Sequence, residues 1–397
     1  MKRIMHLTWE FPPHKVGGLA SHVYDLSRIQ AKRKDEVIVI TRNSNGFSEY
    51  EKIEGVHVFR FNSNIPEEDF VSWTLQMNFF MQNKAISAVK KIGKPDIIHI
   101  HDWLSFPAGF FLKHALRLPL ISTMHAAEYG RFNGVHNNLQ KMIHELECRT
   151  LFESWRIIAC SNFMKWQMHY NLGAPLDKIN VIPNGVDPKK FEIDFNRIEE
   201  KKKYALPYEK IVLFTGRLVH EKGVDVFIGA MPSILYEFPD AKFVIAGGGF
   251  TDDFRRIAEY CGVKDKVIFT GYLDDLELKK LINLADVVVV PSRYEPFGIV
   301  ALEGMSCRKP VVVSDTGGLG EIIEHERDGL KVWKEHSESL SIGIKRVLRD
   351  KELSNWLTKN AYEKILTKYN WDLIAKNTDD VYSRVLEEYN KSDWKKN

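Results

Sequence analysis

Two basic residues in one short loop, Arg217 and Lys222, offer the charges that a phosphorylated ligand needs. Their segment, residues 216–223, directly follows a predicted strand and begins and ends with glycine. A guanidinium can bind a phosphate through two hydrogen bonds, and an ammonium adds a compact second charge. Most Arg and Lys side chains simply lie in solvent. The position at the end of a strand nevertheless favours a diphosphate clamp.

Two carboxylates, Glu295 and Glu303, follow the apolar strand at 285–290. Pro296 favours an extended Glu295 and a helix that begins near Phe297 or Gly298. Exposed amides at such a helix start would face an anion. Each carboxylate is a natural partner for a sugar or ribose diol. An ordinary surface position is the alternative for Glu303, but its three preceding neighbours are apolar and predict a largely buried helix.

A glycine pair, Gly17-Gly18, lies where the first predicted strand turns into a helix. Glycines at such a turn let backbone N–H groups approach a ligand, and the helix start suits phosphate. Lys15 could add a full positive charge. A tight turn that needs glycine for its dihedral angles is the simpler alternative.

Polar residues end two further strands of the first half. His125 could hydrogen-bond a substrate or be a structural histidine. Asp102 and Trp103 could recognise a sugar by hydrogen bonding and stacking, or Asp102 could cap the next helix, and the two interpretations weigh equally. His99 and His101 share one strand face. Because no third ligand has helpful spacing, we expect no metal there.

Two glycine-containing loops of the second half are candidates for nucleotide contact. Residues 247–249 are all glycine and follow a predicted strand, so they could admit a nucleotide or simply form a loop. The next strand leads into Tyr272 and Leu273, a candidate nucleobase slot.

The elements that would position these residues alternate between strands and helices. This alternation predicts right-handed βαβ units and mainly parallel sheets. Strands are predicted at 4–9, 36–41, 56–61, 96–100, 120–123, 157–160, 180–182, 211–215, 242–246, 266–270, 287–290 and 311–314, and after Gly329 the chain is predicted to be nearly all helical.

A turn rich in Pro and Gly near residues 182–187 marks a domain boundary. We predict an α/β protein with two doubly wound, Rossmann-like domains at 1–184 and 185–370, followed by a helix at 371–397 that returns to the first domain. Ligands of open α/β sheets bind at the carboxyl ends of the strands, so the expected site is a cleft between the domains.

Composition excludes several classes of function. The 397 residues carry a net charge of +3, too little for a bulk attraction to nucleic acid. No apolar run approaches the roughly 18 residues of a membrane span. The sequence holds no GxGxxG, no GxxxxGK[ST] and no Asp-x-Asp. Its four cysteines form no CxxC pair, which favours a reducing, cytoplasmic compartment.

Taken together, these motifs resemble the retaining GT-B glycosyltransferases of family four, the group that contains bacterial and archaeal glycogen synthases. The resemblance runs from Trp9-Glu10-Phe11 to the closing helix, and its most specific parts are residues 216–223 and the pair Glu295 and Glu303. It implies the GT-B fold with two Rossmann-like domains.

The resemblance also implies roles for individual residues. The matches to Arg217 and Lys222 hold the donor diphosphate and stabilise the leaving group, and those to Glu295 and His125 contact the donor sugar. Further donor contacts implied in this way are Lys15, Gly17, Gly18 and Gly216 near the diphosphate, Glu303 at the ribose, Phe297 and Gly298 at sugar hydroxyls, Ile299 and Val300 by ribose or phosphate, and Tyr272 and Leu273 at the base.

The implied activity is the transfer of a hexosyl unit from an ADP-, UDP- or GDP-sugar to a carbohydrate acceptor. A glucosyl unit and an α-1,4-glucan acceptor are the favoured pair, and no metal or other cofactor is expected. Val16 and Ala126 differ from bacterial glycogen synthases, so a mannosyl- or other hexosyltransferase acting on a lipid or small metabolite is the alternative. A nucleotide-sugar epimerase is the alternative from another class. Nucleic acid is not expected as a partner. The lysines of residues 83–94 fit a solvated helix face better than a membrane surface.

Overall fold

The computed structural model describes residues 1–44, 46–62 and 69–396. The chain forms two compact units, the first from Met1–Asn184 with Trp371–Asn397 and the second from Gly185–Asn370. These divisions fall at the residues where the sequence analysis places its boundaries.

The first unit is built on an eight-stranded sheet with the order β3-β4-β2-β1-β5-β6-β7-β8. All neighbours are parallel except β3 and β4. The strand order reverses between β1 and β5, where ligand crevices form in such sheets. The strands are β1 Arg3–Leu7, β2 Glu36–Arg42, β3 Tyr50–Ile53, β4 Val56–Phe61, β5 Ile97–His101, β6 Leu120–Met124, β7 Arg156–Ala159 and β8 Ile179–Val181.

Helices connect these strands, and several begin at a side chain that caps the first turn. Asp69, Asn137 and Ser161 each accept a hydrogen bond from a backbone N–H of the helix that follows, which satisfies an otherwise unpaired donor. The helices are α1 Gly18–Lys32, α2 Phe70–Ile92, α3 Phe106–Leu116, α4 Glu128–Phe132, α5 Asn138–Glu153 and α6 Asn162–Leu172.

The second unit has a six-stranded parallel sheet with the order β11-β10-β9-β12-β13-β14. Within the unit this is the order of dinucleotide-binding sheets, with the reversal between β9 and β12. Its valine-rich central strands are buried on both faces, as parallel strands between two helix layers must be. The strands are β9 Lys210–Thr215, β10 Ala241–Ala246, β11 Val267–Gly271, β12 Val287–Val290, β13 Val311–Ser314 and β14 Leu330–Val332.

The second unit also contains eight α-helices. α10 begins with a capping box in which Asp274 and Glu277 exchange side-chain and backbone hydrogen bonds. The helices are α7 Arg197–Lys201, α8 Val224–Glu237, α9 Asp252–Tyr260, α10 Asp275–Leu284, α11 Ile299–Ser306, α12 Gly317–Ile322, α13 Ser337–Arg349 and α14 Lys351–Lys368.

The closing helices, α15 Trp371–Lys391 and α16 Asp393–Lys396, belong to the first unit. The buried face of α15 joins a core cluster with Ile4 of β1 and Leu26 of α1. At its outer edge Glu388 accepts a hydrogen bond from the Trp155 indole at 2.8 Å and pairs with Arg156. The end of the chain therefore completes the fold of its beginning.

Two short strands differ from the sequence prediction. β14 interrupts the region after Gly329 that was predicted to be helical, because its three residues pair in register with β13. The antiparallel edge strand β3 was also missed, since its polar sequence lacks a buried face. Lys84 and Lys91 on α2 contact residues of this edge, namely Glu49 and the ring of Tyr50. No helix in the described ranges combines the length and apolarity that crossing a bilayer requires.

Candidate functional site

At the strand-order reversal of the second unit, the loops that follow β9 and β12 are joined. The amide of Arg293 donates to the carbonyl of Glu221 at 2.8 Å. The Arg293 guanidinium binds Asp225 through two hydrogen bonds of 2.8 and 2.6 Å, and this contact holds the pKa of Asp225 below its usual range. A Cβ on Gly223 would lie 2.1 Å from the carbonyl oxygen of Pro291. These contacts fix the two loops against each other.

The joined loops bring together the basic and acidic residues that the sequence singles out. Lys222 Nζ lies 2.7 Å from Glu295 Oε2, which also accepts from the Ser292 hydroxyl at 3.1 Å. Arg217 Nη2 donates to Glu221 Oε1 at 3.1 Å. Two cations and two carboxylates therefore lie together at the carboxyl ends of the strands of this sheet.

Each cation of this cluster is balanced by a carboxylate, but the two pairs differ in exposure. The Arg217 side chain is 48% exposed, whereas that of Lys222 is 22% exposed and that of Glu295 only 11%. Exposed ion pairs contribute about 0–1 kcal/mol and exchange partners readily. Arg217 can therefore turn to a phosphate at little cost, while the Lys222–Glu295 pair is a more firmly held part of the site.

The start of α11 forms the other wall of this edge. Gly298 precedes the helix at a φ of +116°, and a Cβ there would lie 2.5 Å from Leu319 Cδ2, so only glycine fits. The carbonyl of Glu295 accepts from Gly318 at 2.8 Å. Phe297 is buried, and Glu303 is half-buried one turn into the helix. Ile299 and Val300, the first two helical residues, are half-buried as well.

Backbone contacts also join the loops after β9, β10 and β11. The amide of Gly247 donates to the carbonyl of Gly271 at 2.9 Å, and a Cβ on Gly247 would lie 1.8 Å from the carbonyl oxygen of Gly216. Close packing of these loops therefore accounts for this glycine. Tyr272 is exposed and Leu273 half-buried just beyond, where the sequence predicts the base.

In the first unit, a buried carboxylate holds the glycine turn between β1 and α1. Glu10, which is 2% exposed, accepts from the amides of Val16 at 2.5 Å and Gly17 at 3.0 Å. The Gly17 amide therefore donates inside the protein, while Gly17 itself is exposed, and a phosphate contact of this turn stays a prediction. Gly18 opens α1 and is exposed, and Lys15 is half-buried.

Asp102 and His125 are neighbours at the ends of β5 and β6. Asp102 Oδ1 accepts from the backbone N–H of His125 at 2.6 Å and makes no helix-capping hydrogen bond. The sugar-stacking role expected for Trp103 is wrong. Its ring is 7% exposed and packs edge-on against Phe70, with 6.0 Å between the ring centroids, so no face is open to a sugar.

Five histidines gather behind this edge. Those at 6, 99 and 101, and those at 22, 101 and 125, form two groups whose ligand atoms lie within 4.8 Å of one another. The third ligand that spacing could not supply thus comes from other elements. Both ring nitrogens of His6, His99 and His101 are nevertheless hydrogen-bonded, so a metal ion would have to displace these contacts.

Burial sets the protonation of this region. It lowers the pKa of His6 to about 4 and holds the pKa of His101 well below its usual range. It also lowers the pKa of His125. Desolvation raises the pKa of Glu10 to about 7, although the backbone N–H groups of Val16, Gly17 and Ala20 favour its charged form. The rings of His6, His101 and His125 are therefore uncharged near neutral pH, and Glu10 is only partly ionised there.

The sequence did not predict the residues that support the site residues through hydrogen bonds and packing. Glu10, Glu221 and Asp225 lie inside or beside the motifs but carry no sign of their partners. His6 joins the cluster because β1 pairs with β5, and His22 of α1 lies against His101 and His125, with 5.5 and 4.7 Å between the ring centroids. The signal available was the polar residue inside an otherwise apolar strand, as at His6.

Two doubly wound, mainly parallel sheets, each with polar residues at the strand-order reversal, are the architecture that the resemblance to GT-B glycosyltransferases predicts. The family model described as Glycosyltransferase Family 4 matches residues 16–190, and the one described as Glycosyl transferases group 1 matches residues 196–364. The chain belongs to glycosyltransferase family 4.

Similar proteins agree with this assignment. The uncharacterized glycosyltransferase MJ1607 of Methanocaldococcus jannaschii is 41% identical over 391 residues, covering 97% of this chain and 99% of that protein. A glycogen synthase of Mycobacterium tuberculosis is 33% identical over 397 residues, covering 96% and 94%. The crystal structure of Anabaena Alr3699/HepE in complex with UDP-glucose has a TM-score of 0.78 at 20% identity, covering 97% of this chain and 100% of that one.

Proposed function

We propose that this glycosyltransferase moves a hexosyl unit from a nucleotide sugar to a carbohydrate acceptor, and that the unit is glucosyl. The transfer retains the anomeric configuration and needs no metal ion. The acceptor that we favour is an α-1,4-glucan. Retention is carried over from the resemblance to family four.

The cluster of Arg217, Lys222 and Glu295 is the observation that carries this proposal. When the sugar–phosphate bond breaks, negative charge develops on the departing diphosphate. Preorganised positive groups and a helix start aimed at that charge lower the barrier. Lys222 is already held 2.7 Å from Glu295, which places an ammonium beside the carboxylate expected to contact the sugar. We infer that the diphosphate displaces Glu221 from Arg217 and shares Lys222 with Glu295.

The proposed step conserves atoms and charge without an added reactant. The bond between the anomeric carbon and the phosphate oxygen breaks, and its electron pair stays on the nucleoside diphosphate. An acceptor hydroxyl oxygen forms the new bond on the same face of the sugar. Its proton passes to the departing phosphate oxygen. In this scheme Arg217 and Lys222 hold the growing charge, and no side chain is asked to form a covalent intermediate.

The choice of glucosyl and glucan rests on two similarities. The relative at 33% identity carries the name glycogen synthase, and the compared crystal structure holds UDP-glucose. Transfer of mannose or another hexose to a lipid or small metabolite is the competing outcome of the experiment below.

A donor and acceptor screen tests the proposal. Purified protein is mixed with ADP-, UDP- and GDP-glucose and with GDP-mannose, each with α-1,4-glucan, lipid or phosphosugar acceptors. We expect release of nucleoside diphosphate that depends on both a glucosyl donor and the glucan, and an α-linked product by NMR. Formation of a new sugar isomer without an acceptor would instead indicate an epimerase.

The same reactions are repeated with EDTA and with the variant Arg217→Ala. We expect EDTA to leave turnover unchanged and Arg217→Ala to abolish most of it. Turnover lost in EDTA and restored by added magnesium would contradict the metal-free mechanism while leaving the transferase assignment intact.

A further inference from the structure

One continuous chain of hydrogen bonds runs through the interior of the first unit from His125 to Thr123. Every member is a side chain, and the members come from three strands, β1, β5 and β6, from the residue after β6, and from two helices, α1 and α15. Its contacts join His125 Nε2 to His101 Nδ1 (3.4 Å), His101 Nε2 to His6 Nδ1 (3.0 Å), His6 Nε2 to Gln30 Oε1 (2.8 Å), Gln30 Nε2 to Tyr382 OH (3.3 Å), Tyr382 OH to His99 Nδ1 (2.6 Å) and His99 Nε2 to Thr123 Oγ1 (2.8 Å).

Gln30 fixes which group donates and which accepts at each hydrogen bond of this series. An imidazole nitrogen or a hydroxyl can donate or accept, but an amide oxygen only accepts and an amide nitrogen only donates. The amide oxygen faces His6, so the hydrogen of His6 lies on Nε2 and its Nδ1 accepts. His101 must then donate from Nε2 and accept at Nδ1. By the same step, His125 must carry its hydrogen on Nε2.

These hydrogen positions hold for neutral imidazoles, because a protonated ring would donate from both nitrogens. Burial satisfies this requirement by lowering the pKa of His6 to about 4 and the pKa values of His101 and His125 below their usual range. His6 and His101 are fully buried. At neutral pH each ring therefore has one N–H and one acceptor nitrogen.

We propose that Gln30 is a positioning residue that fixes the tautomer of His125 through His6 and His101, and thereby presents Nδ1 of His125 as a hydrogen-bond acceptor to a donor-sugar hydroxyl. In the part of the chain that the structure describes, Nδ1 of His125 makes no hydrogen bond. The inference rests on the proposed function, since it takes the contact of His125 with the sugar from it.

The tautomer matters because a sugar hydroxyl meets the two forms differently. The Nε2–H form accepts the hydroxyl hydrogen at Nδ1, whereas the Nδ1–H form can only donate and forces the hydroxyl to seek another acceptor. Loss of one such hydrogen bond corresponds to about a three- to tenfold change in binding or rate. Gln30 would set this preference without touching the substrate.

Nitrogen-15 NMR of histidine-labelled protein at pH 7, without ligand, measures the tautomers directly, because protonated and bare ring nitrogens have well-separated shifts. The His125 signals are assigned by their loss in His125→Asn. We expect His125, His101 and His6 in the Nε2–H form. A His125 ring in the Nδ1–H form would overturn the proposal, and so would stoichiometric zinc bound to these rings in the purified protein.

The variant Gln30→Met removes the amide while keeping a side chain of similar length. We expect His125 to show a mixture of both tautomers and kcat/KM to fall about three- to tenfold. Gln140→Met, the same change at a buried glutamine of α5 outside the chain, is the matched control and should leave the His125 tautomer unchanged. A His125 ring that stays wholly in the Nε2–H form in Gln30→Met would contradict control by Gln30.

These measurements separate the two claims. The tautomer of the unliganded protein needs no substrate, so it can contradict the role of Gln30 while glycosyl transfer stands. An inactive protein with the expected tautomers would instead contradict the proposed function. If Gln30→Met does not fold, the tautomer of the wild-type ring still decides the direction of the chain.

Discussion

The two units are built on the same kind of sheet, but the residues at the carboxyl ends of their strands differ in charge and burial. At the edge of the second unit, Arg217 and Lys222 are paired with carboxylates and remain partly exposed. At the edge of the first, His125 stands before a set of buried, uncharged rings and a carboxyl, Glu10, whose pKa is raised to about 7. The second unit offers two paired cations, and the first offers neutral imidazoles beside the carboxyl groups of Glu10 and Asp102.

This difference matches two kinds of ligand chemistry. A diphosphate needs positive groups in place, and the exposed pair of Arg217 with Glu221 can release its cation at low cost. A sugar hydroxyl needs a donor or acceptor of fixed identity, which a buried and fully bonded network supplies. We therefore expect changes in the second unit to act on the rate of bond breaking and changes in the first to act on recognition and stability.

The largest effect is expected for Arg217→Ala. Removing one group that stabilises developing charge lowers kcat by about 10²–10³-fold. Steady-state kinetics with the donor identified by the screen provide the measurement. Arg256→Ala, at an exposed ion pair on α9, removes the same charge away from the site and serves as the control. Equal losses in both variants would show that only overall charge matters and would erase the contrast between the edges.

Glu10→Gln should remove a pH dependence of stability that belongs to the first unit. The pKa of Glu10 is raised from 4.5 to about 7 by burial, so between these values the folded protein binds more protons than the unfolded chain. The contribution of Glu10 to stability therefore falls as pH rises through this window, by roughly 3 kcal/mol in total, and the difference in stability between the two proteins should change by that amount. Urea unfolding of both proteins from pH 5 to pH 8 measures it.

Glu147, whose pKa is raised to about 8 by burial, contributes a fall in stability with rising pH, and the buried histidines, such as His6 with its pKa lowered to about 4, contribute a rise. Both contributions occur in both proteins and cancel from the comparison. Parallel stability curves for the two proteins would mean that Glu10 is ionised in the fold. The glycine turn would then be held by a charge, and the two edges would be more alike than we conclude.

A double-mutant cycle on Lys222→Ala and Glu295→Gln should give a smaller effect. Because the two side chains share a 2.7 Å contact, their losses in kcat/KM should fall short of additivity by about 1–3 kcal/mol. Independent losses would indicate that Lys222 serves the phosphate alone.

The smallest effect is expected for Trp103→Phe. The ring packs against Phe70, so the change should lower the free energy of unfolding by about 1 kcal/mol and leave the KM for acceptor within about twofold. Chemical denaturation and acceptor titrations measure the two quantities. A large rise in the KM for acceptor would restore Trp103 as a sugar-stacking residue.

The sequence could predict what depends on local pattern. Strand ends placed Arg217, Lys222, Glu295 and His125 at sheet edges because alternating strands and helices leave little choice of topology. It could not reveal that Glu10 takes the amide of Gly17, because the burial that makes this contact depends on the surrounding fold.

Contacts between residues far apart in the sequence could not be predicted from it. The hydrogen bond between Gln30 and Tyr382 joins residues 352 positions apart, and no spacing rule connects them. Trp103 was misread for a related reason: an aromatic residue at a strand end has the same sequence signature whether its ring faces a ligand or, as here, Phe70.

The central claim is that Arg217 and Lys222 take the diphosphate of the donor. The most direct test is a crystal structure of the protein with a nucleoside diphosphate, grown in EDTA. We predict that the Arg217 guanidinium and the Lys222 ammonium lie within hydrogen-bond distance of the diphosphate oxygens, with Glu221 released from Arg217. A diphosphate bound away from both side chains would contradict the account.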